Sequence, residues 1–227
     1  FFPPSNTPIF YVNISEPQGA DIRVTDRTLR DIADFARTQP EAVDVSTFIG
    51  AGATRFMLTY ISEQRNPAYG QLVVRTQSLE DIPRLADRIL AYIADTHPDV
   101  TARSERIVFG PPSGAQLEAR FSGPDADVLR HLGEEAMARL RQEGNVRDLR
   151  TDWRNRELVL SPRLIEARAR TIGLTRADIG EALRFSTDGL NVGVYREREE
   201  LIPIIARAPL AERAAPDALG DRLIWSP

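Results

Sequence analysis

Residues 69–108 read YGQLVVRTQSLEDIPRLADRILAYIADTHPDVTARSERIV, and this stretch decides the fold. It opens as a strand through Leu72, Val73 and Val74, β-branched and aliphatic residues that suit a pleated surface. Ser78 is suited to cap a helix, because its side-chain oxygen satisfies a free amide of the first turn. Leu79, Ile82, Leu85, Ala86, Ile89, Leu90 and Ile93 then recur at helical spacing and form one apolar face. Pro83 falls in the first turns, where its missing N–H costs little. His97-Pro98-Asp99 stops the helix, and residues 100–108 return as a second strand. The unit is βαβ.

The same pattern precedes it. Residues 8–14 are β-rich and alternating, and residues 26–37 place Leu29, Ile32 and Phe35 with Ala36 on one helical face. Residues 42–49 form the next strand, with Val43, Val45, Thr47 and Ile49 on one side and Phe48 on the other. Two βαβ units in tandem predict an α+β, split-βαβ, ferredoxin-like sandwich over residues 1–110. After the turn-rich connector Gly110-Pro111-Pro112-Ser113-Gly114, a third copy follows. It consists of a strand at 116–121, a helix at 125–142 aligning Leu129, Leu132, Ala136 and Leu140, and a strand at 146–152. The pattern then changes to a short strand at 157–160 and a helix near 162–171 with Gly173 as its C-cap. A helix from Thr175 follows, then a hairpin of residues 190–195 and 200–206, and a last strand at 222–225. The third βαβ unit lacks a fourth, which leaves a sheet edge to be paired. With ends at Phe1-Phe2-Pro3-Pro4 and Ile224-Trp225-Ser226-Pro227, the expectation is a segment of a longer protein. Its second half then lies beyond Pro227 or comes from another chain.

Composition excludes several function classes. The 227 residues are 42% hydrophobic and 27% charged, with a net charge of −4 that disfavours nucleic acid and anionic lipid as main partners. There is no cysteine, and all 29 basic residues are arginine. That removes thiolate chemistry, the phosphate-binding lysine of a P-loop and Schiff-base catalysis. No apolar run approaches the roughly 18–20 residues a membrane helix needs.

The remaining constellations are poor in chemistry. His97 sits in a turn and His131 on a polar helix face, with no second ligand at i+4, so no metal is expected. Gly50-Ala51-Gly52-Ala53-Thr54 follows a strand as phosphate loops do, but neither a lysine nor a helix follows. The bland reading is a long connection, 50–67, between the two βαβ halves. Its residues Phe56, Met57, Leu58, Tyr60 and Ile61 are too apolar for a solvated loop, and either cover core or line a pocket. Asp148, Asp152 and Glu157 are interleaved with Arg147, Arg150, Arg154 and Arg156, which reads as an ion-paired surface and not as an acid/base dyad. The run Arg196-Glu197-Arg198-Glu199-Glu200 is a charged hairpin tip. No catalytic residue and no cofactor are expected.

Several stretches, in order along the whole chain, resemble the second large periplasmic loop of RND exporters of the acriflavine-resistance, or hydrophobe/amphiphile efflux, type. They are Phe2-Pro3-Pro4, Thr47-Phe48-Ile49-Gly50-Ala51-Gly52-Ala53-Thr54-Arg55-Phe56, and Asn66-Pro67-Ala68-Tyr69-Gly70-Gln71-Leu72-Val73-Val74. Ser122-Gly123-Pro124-Asp125-Ala126-Asp127-Val128-Leu129, Asp152-Trp153-Arg154-Asn155 and Val194-Tyr195-Arg196-Glu197 complete the series.

The resemblance implies a proton-driven transporter of drugs or other amphiphiles working by alternating access. It implies a homotrimer meeting a periplasmic adaptor protein and an outer-membrane channel at the inner membrane's periplasmic face. Residues 1–110 would be one porter subdomain, 113–152 the first half of the next, and 153–227 an incomplete inserted docking subdomain. Gly50, Ala51, Gly52, Ala53, Thr54, Arg55 and Tyr60 would belong to a switch loop between two drug pockets. Thr47, Phe48, Ile49, Phe56, Met57, Thr101, Arg103, Glu105 and Arg147 would contact substrate. Thr101 and Arg103 are polar where well-known members carry phenylalanine. Rival readings on the same fold are a small-ligand regulatory domain, an acylphosphatase-like hydrolase and an RNA-recognition module. The incomplete third unit, the absent anion-cradling loop and the acidic charge disfavour them in turn.

Overall fold

The structure, a computed structural model, describes residues 5–55, 60–108, 117–144, 146, 148–213, 220 and 223–224. The chain divides into two compact units, 1–158 and 159–227. The first unit begins β1 (Ile9–Ser15), α1 (Ile22–Arg37), β2 (Ala42–Ile49), β3 (Tyr69–Thr76), α2 (Asp81–Thr96) and β4 (Thr101–Arg106). The four strands form one antiparallel sheet in the order β2-β3-β1-β4. The strands of each βαβ unit are thus separated by a strand of the other unit, which is the interleaving of the split-βαβ sandwich.

Alternation along the strands makes one face apolar, and both helices cover that face. Phe10, Val12 and Ile14 of β1 and Leu72 and Val74 of β3 are fully buried there. So are Leu29, Ile32, Ala33 and Ala36 from α1 and Leu85 and Ile89 from α2. Each such large side chain contributes about 1.5–3 kcal/mol relative to exposure. The helices meet through a stacked Phe35–Tyr92 pair, centroids 3.9 Å apart, and through Asp31, which accepts from Tyr92 Oη and pairs with His97 Nε2, each at 2.9 Å.

Two helix starts in this sandwich differ from expectation, as does that of the helix expected near 162–171, which begins at Glu166. α1 begins four residues early, because Asp21 caps it by accepting from Arg23 N at 2.8 Å, and Thr25 Oγ1 donates to Pro67 O at 2.6 Å. α2 begins at Asp81, whose carboxylate accepts from both Ser78 N and Ser78 Oγ, so Ser78 opens the turn before the helix instead of capping it.

The third unit differs more. α3 (Ala126–Gln142) forms, with Asp125 capping two amides, but none of its residues is fully buried. Residues 117–121, 146 and 148–152 are not strands. An extended segment becomes a strand only where another backbone pairs with it, and none of the described residues does so here. The short strand expected at 157–160 is also absent, for the same reason. Segment 153–156 instead lies along α3. Arg130 donates to Arg154 O and sits 5.6 Å from the Trp153 ring centre, and Arg156 pairs with Asp127.

The second unit holds α4 (Glu166–Thr171), α5 (Arg176–Ser186), β5 (Leu190–Glu197), β6 (Glu200–Ala206) and α6 (Leu210–Arg213). α4 ends on Gly173 at φ +75°, with Gly173 N donating to Arg170 O and Leu174 N to Ala169 O. That paired bonding is the Schellman stop, which needs a residue free to turn left-handed. Thr175 and Asp178 cap α5 reciprocally. β5 and β6 pair as an antiparallel hairpin whose Val192, Val194, Tyr195, Leu201, Ile202, Ile204 and Ile205 are all exposed. Of the strand expected at 222–225, residues 222 and 225 lie outside the described residues, and 223–224 are not strand.

Candidate functional site

The face of the four-stranded sheet turned away from the helices carries polar and aromatic side chains in register. One row crosses all four strands as Phe48, Gln71, Asn13 and Arg103. The next is Ser46, Val73, Tyr11 and Glu105. A third joins Tyr69, Ser15 and Thr101. At about 4.8 Å per strand, Phe48 and Arg103 stand roughly 14 Å apart across the face.

A buried hydrogen-bond network occupies the centre. Asn13 Oδ1 accepts from Tyr69 Oη at 2.6 Å and from Gln71 Nε2 at 2.8 Å. Gln71 Oε1 accepts from Tyr60 Oη at 2.8 Å and from the backbone N–H of Ala53 at 3.0 Å. Buried amides need such partners, since an unmade bond there costs more than a made one returns. The Tyr60 ring stands edge-on to Tyr11, centroids 5.7 Å apart. Burial pushes the Tyr69 phenol well above its ordinary range, and burial together with the neighbouring Glu105 carboxylate does the same for Tyr11. Burial also raises Tyr60, against its bond to Gln71. All three phenols therefore stay protonated near neutral pH. At the rim, Arg103 and Glu105 pair at 2.8 Å and are each about one-third exposed.

The described arms of the 50–66 connection, 50–55 and 60–66, lie over this network. Gly50 N donates to Tyr69 O at 2.8 Å, Asn66 N donates to Gly50 O at 2.9 Å and Gly52 N to Glu63 O at 3.2 Å, so the two arms close on each other. Gly50 sits at φ +74°, and a Cβ there would lie 2.8 Å from Ile22 Cδ1. Ala53 and Tyr60 are buried, whereas Thr54 and Arg55 are exposed.

Of the residues expected to contact substrate, the sheet brings Phe48, Thr101, Arg103 and Glu105 to one face. Thr47 and Ile49 turn to the opposite face, where they pair across from Leu72 and Gly70, and Ile49 packs against the core. Phe56, Met57 and Arg147 lie outside the described residues. Sequence reasoning passed over Tyr11, Asn13, Tyr69 and Gln71. The available signal was a polar amide in each of two apolar strands, YVNIS and YGQLVV, both on the face opposite the core residues.

The described residues include no group of three or more His, Cys, Asp or Glu placed to hold a metal ion, and no helix among them is long and apolar enough to cross a membrane. Two solved structures, both of a heavy metal efflux pump in different crystal forms, are similar to this chain in fold. They superpose with TM-scores of 0.71 and 0.74 at 15% identity, and each match covers 100% of this chain and 24% of the pump chain. The chain thus spans about a quarter of the length of the solved proteins it matches. The model of the AcrB/AcrD/AcrF family matches residues 1–227, the whole sequence. The chain belongs to the AcrB/AcrD/AcrF family of RND transporters.

Proposed function

We propose that this chain is the periplasmic substrate-handling and docking portion of a proton-driven RND efflux transporter that exports drugs or other amphiphiles by alternating access. The observation that carries the reading is loop 50–66. It leaves the sheet at Gly50, folds over Tyr11 and Gln71, and stands beside the ion-paired strand of Arg103 and Glu105. A gate between two binding spaces needs this combination of a rigid sheet and a separately fastened loop. Gly50, Ala51, Gly52, Ala53, Thr54, Arg55 and Tyr60 form that gate in this reading. Phe48, Thr101, Arg103 and Glu105 line one side of it, with Phe56, Met57 and Arg147 completing the contact set; Thr47 and Ile49, on the helix-covered face, drop out of it. Residues 1–110 are one porter subdomain, 113–152 half of the next, and 153–227 the docking part. The working unit is a homotrimer joined by an adaptor protein and an outer-membrane channel. No step of this reading requires covalent catalysis.

Residue chemistry favours an amphiphile over a metal ion as cargo. The whole chain has no cysteine, two histidines and two methionines, and His97 is engaged with Asp31. The likeness to a metal pump at 15% identity supports the fold and not the cargo. A partly exposed carboxylate–guanidinium pair beside aromatic rings suits a cargo that joins an apolar body to a polar or charged group.

Dye efflux and drug susceptibility in a pump-deficient Gram-negative host test this, with the parent gene, Gly50→Pro and Arg103→Ala compared at equal expression. Loss of efflux, strongest for bulky substrates, is expected for Gly50→Pro, and a changed substrate range for Arg103→Ala. Tolerance to copper, silver and zinc salts is measured alongside. Metal tolerance without any dye efflux would overturn the amphiphile assignment, and unaltered efflux in both variants would overturn the site.

A further inference from the structure

One buried side chain takes a hydrogen bond from each described arm of the 50–66 connection. We propose that Gln71 is the latch of this loop, a positioning residue whose carboxamide holds both arms against the sheet and lets them leave together. The inference rests on the reading of the loop as a gate and adds how that gate is held.

Gln71 Oε1 takes Ala53 N–H from the outgoing arm at 3.0 Å and Tyr60 O–H from the returning arm at 2.8 Å. The latch itself is fixed in place. Gln71 is 2% exposed, and its Nε2 donates to Asn13 Oδ1, which Tyr69 Oη holds from the other side. The loop fits only because residue 52 has no side chain. A Cβ on Gly52 would lie 2.7 Å from the backbone N of Glu63, 2.9 Å from Tyr60 Oη and 3.1 Å from Ser62 Oγ. Gly52 therefore lets the two arms close to the distance at which both donors reach Gln71. The acceptor is residue 71, the donors are residues 53 and 60, and residue 52 allows the close approach between them. None of them is part of the helix-covered core around Leu29 and Leu72, so the latch opens without unpacking that core.

Hydrogen exchange at single-residue resolution in the full-length protein tests this. The Ala53 amide is the reporter, and the Leu72 and Val74 amides report the stability of the sheet. Gln71→Met keeps length and volume but removes the acceptor, and Gly52→Ala pushes the arms apart while leaving Gln71 intact. Both are expected to speed exchange at Ala53 by roughly fivefold, the effect of one lost buried hydrogen bond, with Leu72 and Val74 unchanged. Tyr60→Phe, which removes one hydroxyl, is expected to give a smaller rise. Unchanged exchange at Ala53 in Gln71→Met and Gly52→Ala overturns the latch. A rise at Ala53 matched by equal rises at Leu72 and Val74 also overturns it, because the effect is then general destabilisation. Faster Ala53 exchange with undiminished and unaltered efflux leaves the latch standing and removes the gate reading on which it was built.

Discussion

Gly70 leaves no room for a side chain between sheet and helix, and it offers a quantitative test of the fold. Gly70 lies in β3 between Ile14 and Ile49, directly under the buried Leu29 of α1. A Cβ at position 70 would meet Leu29 Cδ1 and Cδ2 at 2.5 Å each, closer than real contacts allow. Leu29 is fully buried, so Gly70→Ala forces the helix outward or Leu29 out of its rotamer. Overpacking of this kind costs about 1–3 kcal/mol. Leu29→Ala has the opposite fault, a cavity, and costs about 2–5 kcal/mol. In the double variant the new methyl at 70 enters the space that Leu29 left, so the costs do not add. A coupling of about 1–2 kcal/mol in favour of the double variant is expected, within the range found for touching residues. Exchange of the Leu72 and Val74 amides measures it, since about 1.4 kcal/mol corresponds to a tenfold change in the opening equilibrium. Gly70→Ala should speed these amides about thirtyfold, for a cost of about 2 kcal/mol. Unchanged exchange in Gly70→Ala, or simple additivity in the double variant, would refute the proposed contact.

Three further outcomes follow from named interactions. Hydrogen bonds from His97 and Tyr92 hold the Asp31 carboxyl below its ordinary range. A depressed folded pKa gives stability that is present above the unfolded value of about 4 and lost as pH falls through the folded one. Thermal stability should accordingly drop below about pH 4 and do so less steeply in Asp31→Asn. Thr175→Ala removes the N-cap of α5, and far-UV circular dichroism with exchange at Asp178 N should show that helix weakened by about 1 kcal/mol. Asn155→Ala removes a two-way pairing, Gln18 N to Oδ1 at 2.7 Å and Nδ2 to Gln18 O at 3.2 Å. The Gln18 amide should exchange roughly fivefold faster, the effect of one lost hydrogen bond.

The βαββαβ order was legible because each element carries its own signal: alternation in β1 and β3, and a period near 3.6 in α1 and α2. The early start of α1 was not. Ile22, Val24 and Thr25 are β-branched and lower local helix preference, and the helix forms there through the Asp21 cap and the bond from Thr25 to Pro67, forty-two residues away. The network of the candidate site was hidden for the same reason. Asn13 and Gln71 are fifty-eight residues apart and meet only because β1 and β3 pair in a particular register. Family resemblance supplied Phe48, Thr101, Arg103 and Glu105 among nine expected contacts, and register explains why these four share a face while Thr47 and Ile49 do not.

α2 and α3 show how far periodicity reaches. They have 16 and 17 residues and comparable apolar spacing, yet α2 buries Ile82, Leu85, Ala86, Ile89 and Ile93 while α3 buries none. Helices in proteins draw most of their stability from the surface they pack on, and among the described residues only α2 of the two has a paired sheet beneath it. α3 relies on the Asp125 cap, the Glu135–Arg139 pair and the 153–156 segment along its side, contacts worth a few tenths to about 1 kcal/mol each. Burial therefore separates a rigid part from a weakly held one within the same unit. In the proposed transporter the rigid sheet is the platform on which loop 50–66 is latched. The weakly packed apolar surface of α3 and of the β5–β6 hairpin is where contact with further protein would gain the most.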